Sequence, residues 1–357
     1  HVQLRSIKTE SIEINLDEVE VENGYFNLVI YENDSLSNLQ HWMEAFPSSS
    51  DSSASGDVVI RSNEVRLKDM QFVFENQNIE SAGPRQVDFN HLGVDGLSGR
   101  FTNVSIVNDS ITANMYGLQL EEKSGFKIKH FTAHASVNSN VIRCSDMTLV
   151  TNTATVNGTY EMQSGGWSNY SDYISKVRMV ADLHNTEVRF DDIAYFAPQL
   201  EGLLVPMKFH GHVEGTVDNL KGEIQQLTFG ESGMLRGKVK VKGLPNLEST
   251  FIDADVKQLH TTLSDAETIN LPTPDGYVQL VFPDGLSNIS FIDFKGRFTG
   301  FVNDFVTYGK IETALGVIDA DINLKTGDEL EYSGSLATKR FQLGKLLNIE
   351  KTIQSVG

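Results

Sequence analysis

The feature that most constrains this chain is a period-two alternation of side chains that occurs twice, 85 residues apart. Phe209–Leu220 reads FHGHVEGTVDNL and Phe294–Phe305 reads FKGRFTGFVNDF. Phe209 falls on Phe294, Gly211 on Gly296, Gly215 on Gly300 and Val217 on Val302. Successive side chains of an extended strand point to opposite faces. Phe209, Val213 and Val217 therefore share a face with Gly211 and Gly215, and His210, His212 and Glu214 face away. Phe294, Phe298 and Val302 share the corresponding face of the second copy. Each copy closes on a polar pair and an apolar residue, Asp218-Asn219-Leu220 and Asn303-Asp304-Phe305, which predicts a turn and a return strand. A unit of about 80 to 85 residues that repeats marks a stacked architecture rather than a globule built around one site.

The 357 residues suffice for two domains or one elongated body. A net charge of −19 argues against nucleic acid as a partner, because phosphates need a basic surface. A single cysteine, Cys144, allows no internal disulfide. No run of 18 apolar residues is present to span a bilayer. The chain opens on His1 and closes on SVG, so it reads as a fragment of something longer, in which missing targeting signals carry no weight. Sequons at Asn33, Asn103, Asn108, Asn157, Asn169 and Asn288 fit a glycosylated eukaryotic ectodomain or, as the default reading, what a chain rich in Asn, Ser and Thr produces by chance.

Along the chain, Ile12, Ile14 and Leu16 alternate with polar residues, and Phe26, Val29 and Tyr31 follow an expected Asn23-Gly24 turn. Leu39, Trp42, Met43 and Phe46 fall at i, i+3, i+4 and i+7, which predicts a short helix over 38–46. Ser37 is its cap and Pro47 its stop, and its apolar stripe is expected to close the end of a sheet. Ser48–Gly56 reads as a flexible loop. From 57 to 162 short alternating runs dominate, and one polar and one apolar face per strand predicts one-sided sheets. Val65 and Leu67 are out of phase with Met70, Phe72 and Phe74, so a turn or bulge is expected at Lys68-Asp69. Gly165–Tyr173 is a polar excursion, and Asp191 is expected to cap one helical turn before Pro198. A soft boundary falls at Gly202–Pro206, so that 1–200 forms one segment. Residues 201–357 then carry two repeated β units, about 203–270 and 288–350. Short helices are expected at Ser264–Glu267 and Leu343–Leu347, with Pro272-Thr273-Pro274 a stiff connector.

Patterns that carry chemistry are sparse. Zinc-finger and HExxH spacings are missing, as are GxGxxG and P-loop motifs. Gly230–Gly233 reads as a hairpin turn rather than a nucleophile elbow. Cys144 reads as a half-buried strand residue. His210 and His212 share a face but lack a third ligand. Asp253 with Asp255, and Asp319 with Asp321, alternate with apolar residues, as the outside of a half-buried strand does. Arg236, Lys238, Lys240 and Lys242 make a basic strand face, solvated by default and otherwise a headgroup rim. No enzyme, cofactor or metal is expected.

The segment from Phe209 to Ile269, with its G-x-hydrophobic-x-G strand, the Gly-bounded strand behind it and a Gly243-Leu244-Pro245 turn, resembles the TamB and AsmA-like family of translocation and assembly module proteins. DVVIRSNEVRLKDMQFVF near Asp57, LEEKSGFKI at Leu120–Ile128 and DDIAYFAPQL near Asp191 are similar to its amino-terminal part. The resemblance covers most of the chain but not the family's characteristic carboxy-terminal domain. It implies a periplasmic location, an inner-membrane anchor upstream, and a long curved β-sheet whose apolar inside forms a groove. It also implies phospholipid as the cargo carried between two membranes, and an outer-membrane barrel partner of the TamA type acting in protein assembly.

The expected fold is all-β: an elongated, curved, mostly antiparallel sheet forming a groove, with repeated units and a few short helices. Two functions remain open. Either Phe209, Val213, Val217, Phe294, Phe298 and Val302 line an open groove for acyl chains, or these faces close on each other in β-sandwiches of a binding or adhesin-type module. Alternation alone serves both. In the groove reading, Gly211, Gly215, Gly296 and Gly300 keep space for a lipid chain and let the sheet bend.

Overall fold

A computed structural model describes residues 2–8, 13–44, 59–196, 198, 205–247, 249–273, 276–279, 284–326 and 330–347. Ile12, Phe46, Pro47, the Ser48–Gly56 loop, residues 202–204 of the expected boundary, Pro274 and the closing SVG lie outside them. The chain is nearly all β, mostly antiparallel, with a few short helices. It divides into two compact units, His1–Lys176 and Val177–Gly357.

The first unit runs β1 (Val2–Lys8), β2 (Glu13–Glu22), β3 (Tyr25–Ile30), α1 (Asn38–Glu44), β4 (Val59–Asn76), β5 (His91–Val107), β6 (Ser110–Glu122), β7 (Lys127–Val137), β8 (Val141–Val150) and β9 (Thr155–Gln163). A 3-10 turn (Trp167–Asp172) and α2 (Tyr173–Lys176) follow. From β4 to β9 each strand pairs antiparallel with the next, from β5 onward through short hairpin connections and between β4 and β5 across the longer connection 77–90.

The exception is at β4. Both β2 and β3 lie parallel to it, β2 along its first half and β3 along its second. The Asn23-Gly24 pair is therefore not the hairpin that the sequence suggests. Asn23 takes a left-handed φ of 53° and the chain continues in the same direction. The reason lies in the neighbour. Asp69 of β4, at φ 47°, bulges at the same level, as the phase change at Lys68-Asp69 predicts. The Asn23 N–H donates to the Lys68 carbonyl at 3.0 Å and the Gln71 N–H to the Gly24 carbonyl at 2.8 Å, so the two kinks match. Beyond the bulge the phase is restored, and Val65 and Leu67 share a face with Phe72 and Phe74. Left-handed residues recur at the register shifts of β5 (Gly96), β6 (Gly117) and β8 (Asp146). Bulges at one level in successive strands bend a sheet along a line across its strands. Met115, Ala133 and Met147, on three adjacent strands beside that line, are buried at 6, 4 and 6 % exposure.

Ser37 caps α1 through a capping box: its Oγ accepts from the Gln40 N–H, and Gln40 Oε1 accepts from the Ser37 N–H. Of the apolar stripe, the side chains of Met43 and Phe46 lie outside what is described. Leu39 and Trp42 are 38 and 61 % exposed. Asn38 fixes this orientation by accepting from the Val29 N–H and donating to the Asn27 carbonyl, which pins α1 to β3 by its polar side.

The second unit begins with β10 (Arg178–Val188) and α3 (Phe190–Ala194). Asp191 does not cap α3. The N-cap is Arg189 with no side-chain cap bond, and Asp191 stands in the first turn, where a carboxylate favours the helix dipole. Then come β11 (Met207–Thr216), β12 (Asn219–Phe229), β13 (Gly233–Lys242), β14 (Phe251–Thr262) and α4 (Leu263–Glu267). After a small hairpin, β15 (Asn270–Thr273) with β16 (Gly276–Gln279), and a 3-10 turn (Asp284–Ile289), the plan repeats. The second copy is β17 (Phe291–Phe301), β18 (Asp304–Thr313), β19 (Gly316–Thr326), β20 (Leu330–Lys339) and α5 (Leu343–Leu346). The order β10-β11-β12-β13-β14-β17-β18-β19-β20 is antiparallel throughout.

In each copy the one-turn helix after the fourth strand folds onto the hairpin joining the second and third. Asp265 of α4, 2 % exposed, accepts from the N–H groups of Glu231 and Ser232 at 2.8 and 3.0 Å. In the second copy the Gln342 N–H donates to the Leu315 carbonyl at 2.9 Å, and Leu315 and Phe341 are buried. Thus one-turn helices close sheet ends in this unit.

Candidate functional site: the apolar face of the second unit

The ladder registers turn the strand-by-strand alternation into rows running across the sheet. One row links Phe209, Leu227, Leu235, Leu259, Phe294 and Ile311. A parallel row links Val213, Gly222, Val239, Ala254, Phe298 and Thr307. Four of the six residues singled out from the sequence thus fall into two rows of one face. Phe209 and Phe294 lie four strand spacings apart, about 19 Å at ~4.8 Å per strand. Val217 and Val302 do not join them. The last ladder pairs are Thr216↔Asn219 and Phe301↔Asp304, so these valines occupy two-residue turns, and Val302 is 52 % exposed. The polar pair that suggested a turn one residue later instead straddles the start of the return strand.

Between the two rows runs a third, with Gly211, Ile224, Gly237, Val256, Gly296 and Gly309. The glycines do not leave room for a guest at these points. A Cβ on Gly211 would lie 2.3 Å from the Glu223 carbonyl oxygen and 3.0 Å from Cζ of Phe209. On Gly296 it would lie 2.2 Å from the Tyr308 oxygen and 2.9 Å from Cζ of Phe294. Each phenylalanine ring therefore lies over the glycine two residues on, and the neighbouring backbone closes in beneath it.

The sheet is creased beside this row. Between the phenylalanine row and the glycine row, β10, β12 and β14 each hold one residue more than the strands that they face. The extra residues fall at His184-Asn185, Gln225-Gln226 and Lys257-Gln258, and Asn185 takes a left-handed φ of 46°. Bulges in alternate strands at one level add bend and twist there.

The rows are apolar but not sealed. Phe209, Val213, Phe294 and Phe298 are all half-buried, and so are Leu227, Leu235, Val239 and Leu259 beside them. A sandwich core about 10 Å thick would enclose such inward residues almost completely. Phe298 and Phe305 lie against each other at 4.8 Å between centroids.

The opposite face is polar and paired. Arg297 donates to Asp253 at 3.0 and 3.1 Å, His212 contacts Asp182 at 2.7 Å, and Lys238 reaches Glu223 at 3.3 Å. The basic residues of β13 therefore sit across the thickness of the sheet from the apolar rows, not on their rim. Lys238 and Lys240 stand beside Asp255 and Asp253 in the ladder. His212 is held by a carboxylate, and among the described residues no cluster of three or more metal-ligating side chains occurs. Cys144 is half-buried, and burial pushes its thiol pKa up, away from reactivity. Among the described residues no helix is long and apolar enough to cross a membrane, which leaves strand-built spans untouched.

The signal that sequence reading missed is the bulge. Lys257-Gln258 looks like ordinary polar exterior, yet it is where β14 bends. No family model, curated protein or solved structure matches this chain.

Proposed function

We propose that the apolar face of the second unit holds the acyl chains of phospholipid, and that the protein carries lipid between two membranes without catalysing a reaction. The observation that carries this reading is the half-buried state of whole rows of Phe, Leu, Val and Ile on a sheet whose other face is ion-paired. An apolar face left partly open in a folded protein marks a binding surface. Exposing a diacyl lipid of roughly 30 methylenes to water costs on the order of 25 kcal/mol, at about 0.8 kcal/mol per CH₂. A continuous apolar face removes most of that cost, because the chains exchange one apolar surrounding for another. Placement between an inner and an outer membrane, an upstream anchor and a barrel partner belong to the same reading and rest on the sequence resemblance alone.

The test is Phe298→Glu. An open face leaves the carboxylate a path to water, so the variant is expected to keep its far-UV spectrum and cooperative melting while lipid recovered by native mass spectrometry falls at least tenfold. In a closed core the same carboxylate would be buried without a partner and the protein would unfold. Unfolding, or a folded variant with undiminished lipid, overturns the assignment of this face.

A further inference from the structure

We infer that the outer edge of β20 is a docking edge for one more antiparallel strand of the β17 type, with an aromatic-x-Gly-x-aromatic-x-Gly pattern. The occupant can be read because the fold contains the same edge twice. β14 and β20 are both fourth strands of a repeat, each followed by a one-turn helix folded onto the preceding hairpin. Their ladder rows correspond at a constant offset: Ile252 with Tyr332, Ala254 with Gly334 and Val256 with Leu336. The outer edge of β14 is taken by β17, which sets Gly300 against Ile252, Phe298 against Ala254 and Gly296 against Val256. Among the described residues nothing pairs with the outer edge of β20.

Exposure records the difference. Val256 is 8 % exposed on the covered strand, and Leu336, its equivalent, is 61 % exposed. Tyr332 is 78 % exposed. The edge also lacks the devices that keep a terminal strand from pairing. β20 holds no proline, its pairing with β19 has no register shift, and no charge stands on its apolar face between Tyr332 and Thr338. A partner of the β17 type would set a glycine against Tyr332, an aromatic against Gly334 and a glycine against Leu336. The large residue of each pair would meet the small one, as it does at β14. This pairing is main-chain strand addition with side-chain selection, and it does not depend on the lipid reading.

The probe is a synthetic peptide with the sequence of residues 291–301, FIDFKGRFTGF, added to the whole chain. A control peptide has the same composition, with Phe294 and Gly296 trading places and Phe298 and Gly300 doing the same. Hydrogen exchange of the β20 amides is expected to slow at least tenfold with the first peptide and to stay unchanged with the second. Protection in β14 and β18 should stay constant, which distinguishes edge addition from displacement of β17. Leu336→Lys, at an exposed position that leaves folding intact, is expected to abolish the effect. Equal protection by both peptides, no protection by either, or protection that persists in L336K overturns the proposal. So does sedimentation showing that two copies of the chain pair through β20 and exclude the peptide.

Discussion

Glycine at 296 is required by its neighbours' backbone. The site where a Cβ would stand is already claimed by the Tyr308 carbonyl, the Gly309 Cα at 2.7 Å and the Phe294 ring. A carbonyl held in a ladder cannot yield as a flexible side chain would, so Gly296→Ala forces the strands apart. We expect a loss of about 2 kcal/mol, the usual cost of overpacking, read as a lowered urea midpoint with an unchanged slope. A neutral result would mean that Phe294 and the ladder relax freely. Asp265 makes a second test at this scale. Burial alone would raise its pKa, but hydrogen bonds from the Ser232 hydroxyl and the Glu231 and Ser232 N–H groups outweigh that and hold it below the usual carboxylate range. Asp265→Ala removes those acceptors and should cost about 2 kcal/mol, with hydrogen exchange accelerating first in the β12–β13 turn. The sequence announced neither role. Gly296 was legible as a special position, but the ring covering it is two residues away and its opposing carbonyl lies on another strand. Asp265 was legible only as part of a helical turn.

The strands themselves were legible because period two is imposed by the backbone. Alternation puts strands where β11 to β14 and β17 to β20 stand, though not their ends, several of which run beyond the alternating stretch, and the phase change at Lys68-Asp69 marks a real bulge. What misled was chemistry that serves two geometries. Asn-Gly fits a hairpin, and it fits equally a kink that follows a neighbour's bulge, which is its role at Asn23-Gly24. Val217 and Val302 continue an alternation on paper and leave it in space, because the ladders end at Thr216↔Asn219 and Phe301↔Asp304. The bulges yield a sharper test. Val256 and Leu259 face the same side only because β14 carries an extra residue between them. Deleting Lys257 restores strict alternation on both flanks, so each apolar residue keeps its face. We therefore expect the deletion variant to fold with its ladder pairs intact but with a flatter sheet, visible in a crystal structure and as weaker lipid retention. A variant that loses cooperative melting would show that the bulge serves register rather than bend.

For the whole molecule, acid is the informative stress. Several carboxylates are held below their ordinary range: Glu64 chiefly by a hydrogen bond from Arg100, Glu20 by one from Lys68, and Asp34 by the Leu36 N–H. Asp88 and Asp265 are lowered by bonds that outweigh burial. A depressed folded-state pKa contributes stability that is present above the unfolded value and lost as pH falls through the folded one. Stability should therefore hold between pH 7 and about 5 and decline below about 4, followed by urea melts across that range. A profile flat to pH 3 would contradict these pairings.

The equivalence of β14 and β20 has a consequence for how such a protein changes size. The first copy ends on an edge that the second begins against, and β20 ends the second copy on its equivalent, so a copy can be gained or lost as a block without redesigning any contact inside its neighbours. Reach then comes in increments of four strands, about 19 Å at ~4.8 Å each, and a distance is met by counting rather than by stretching.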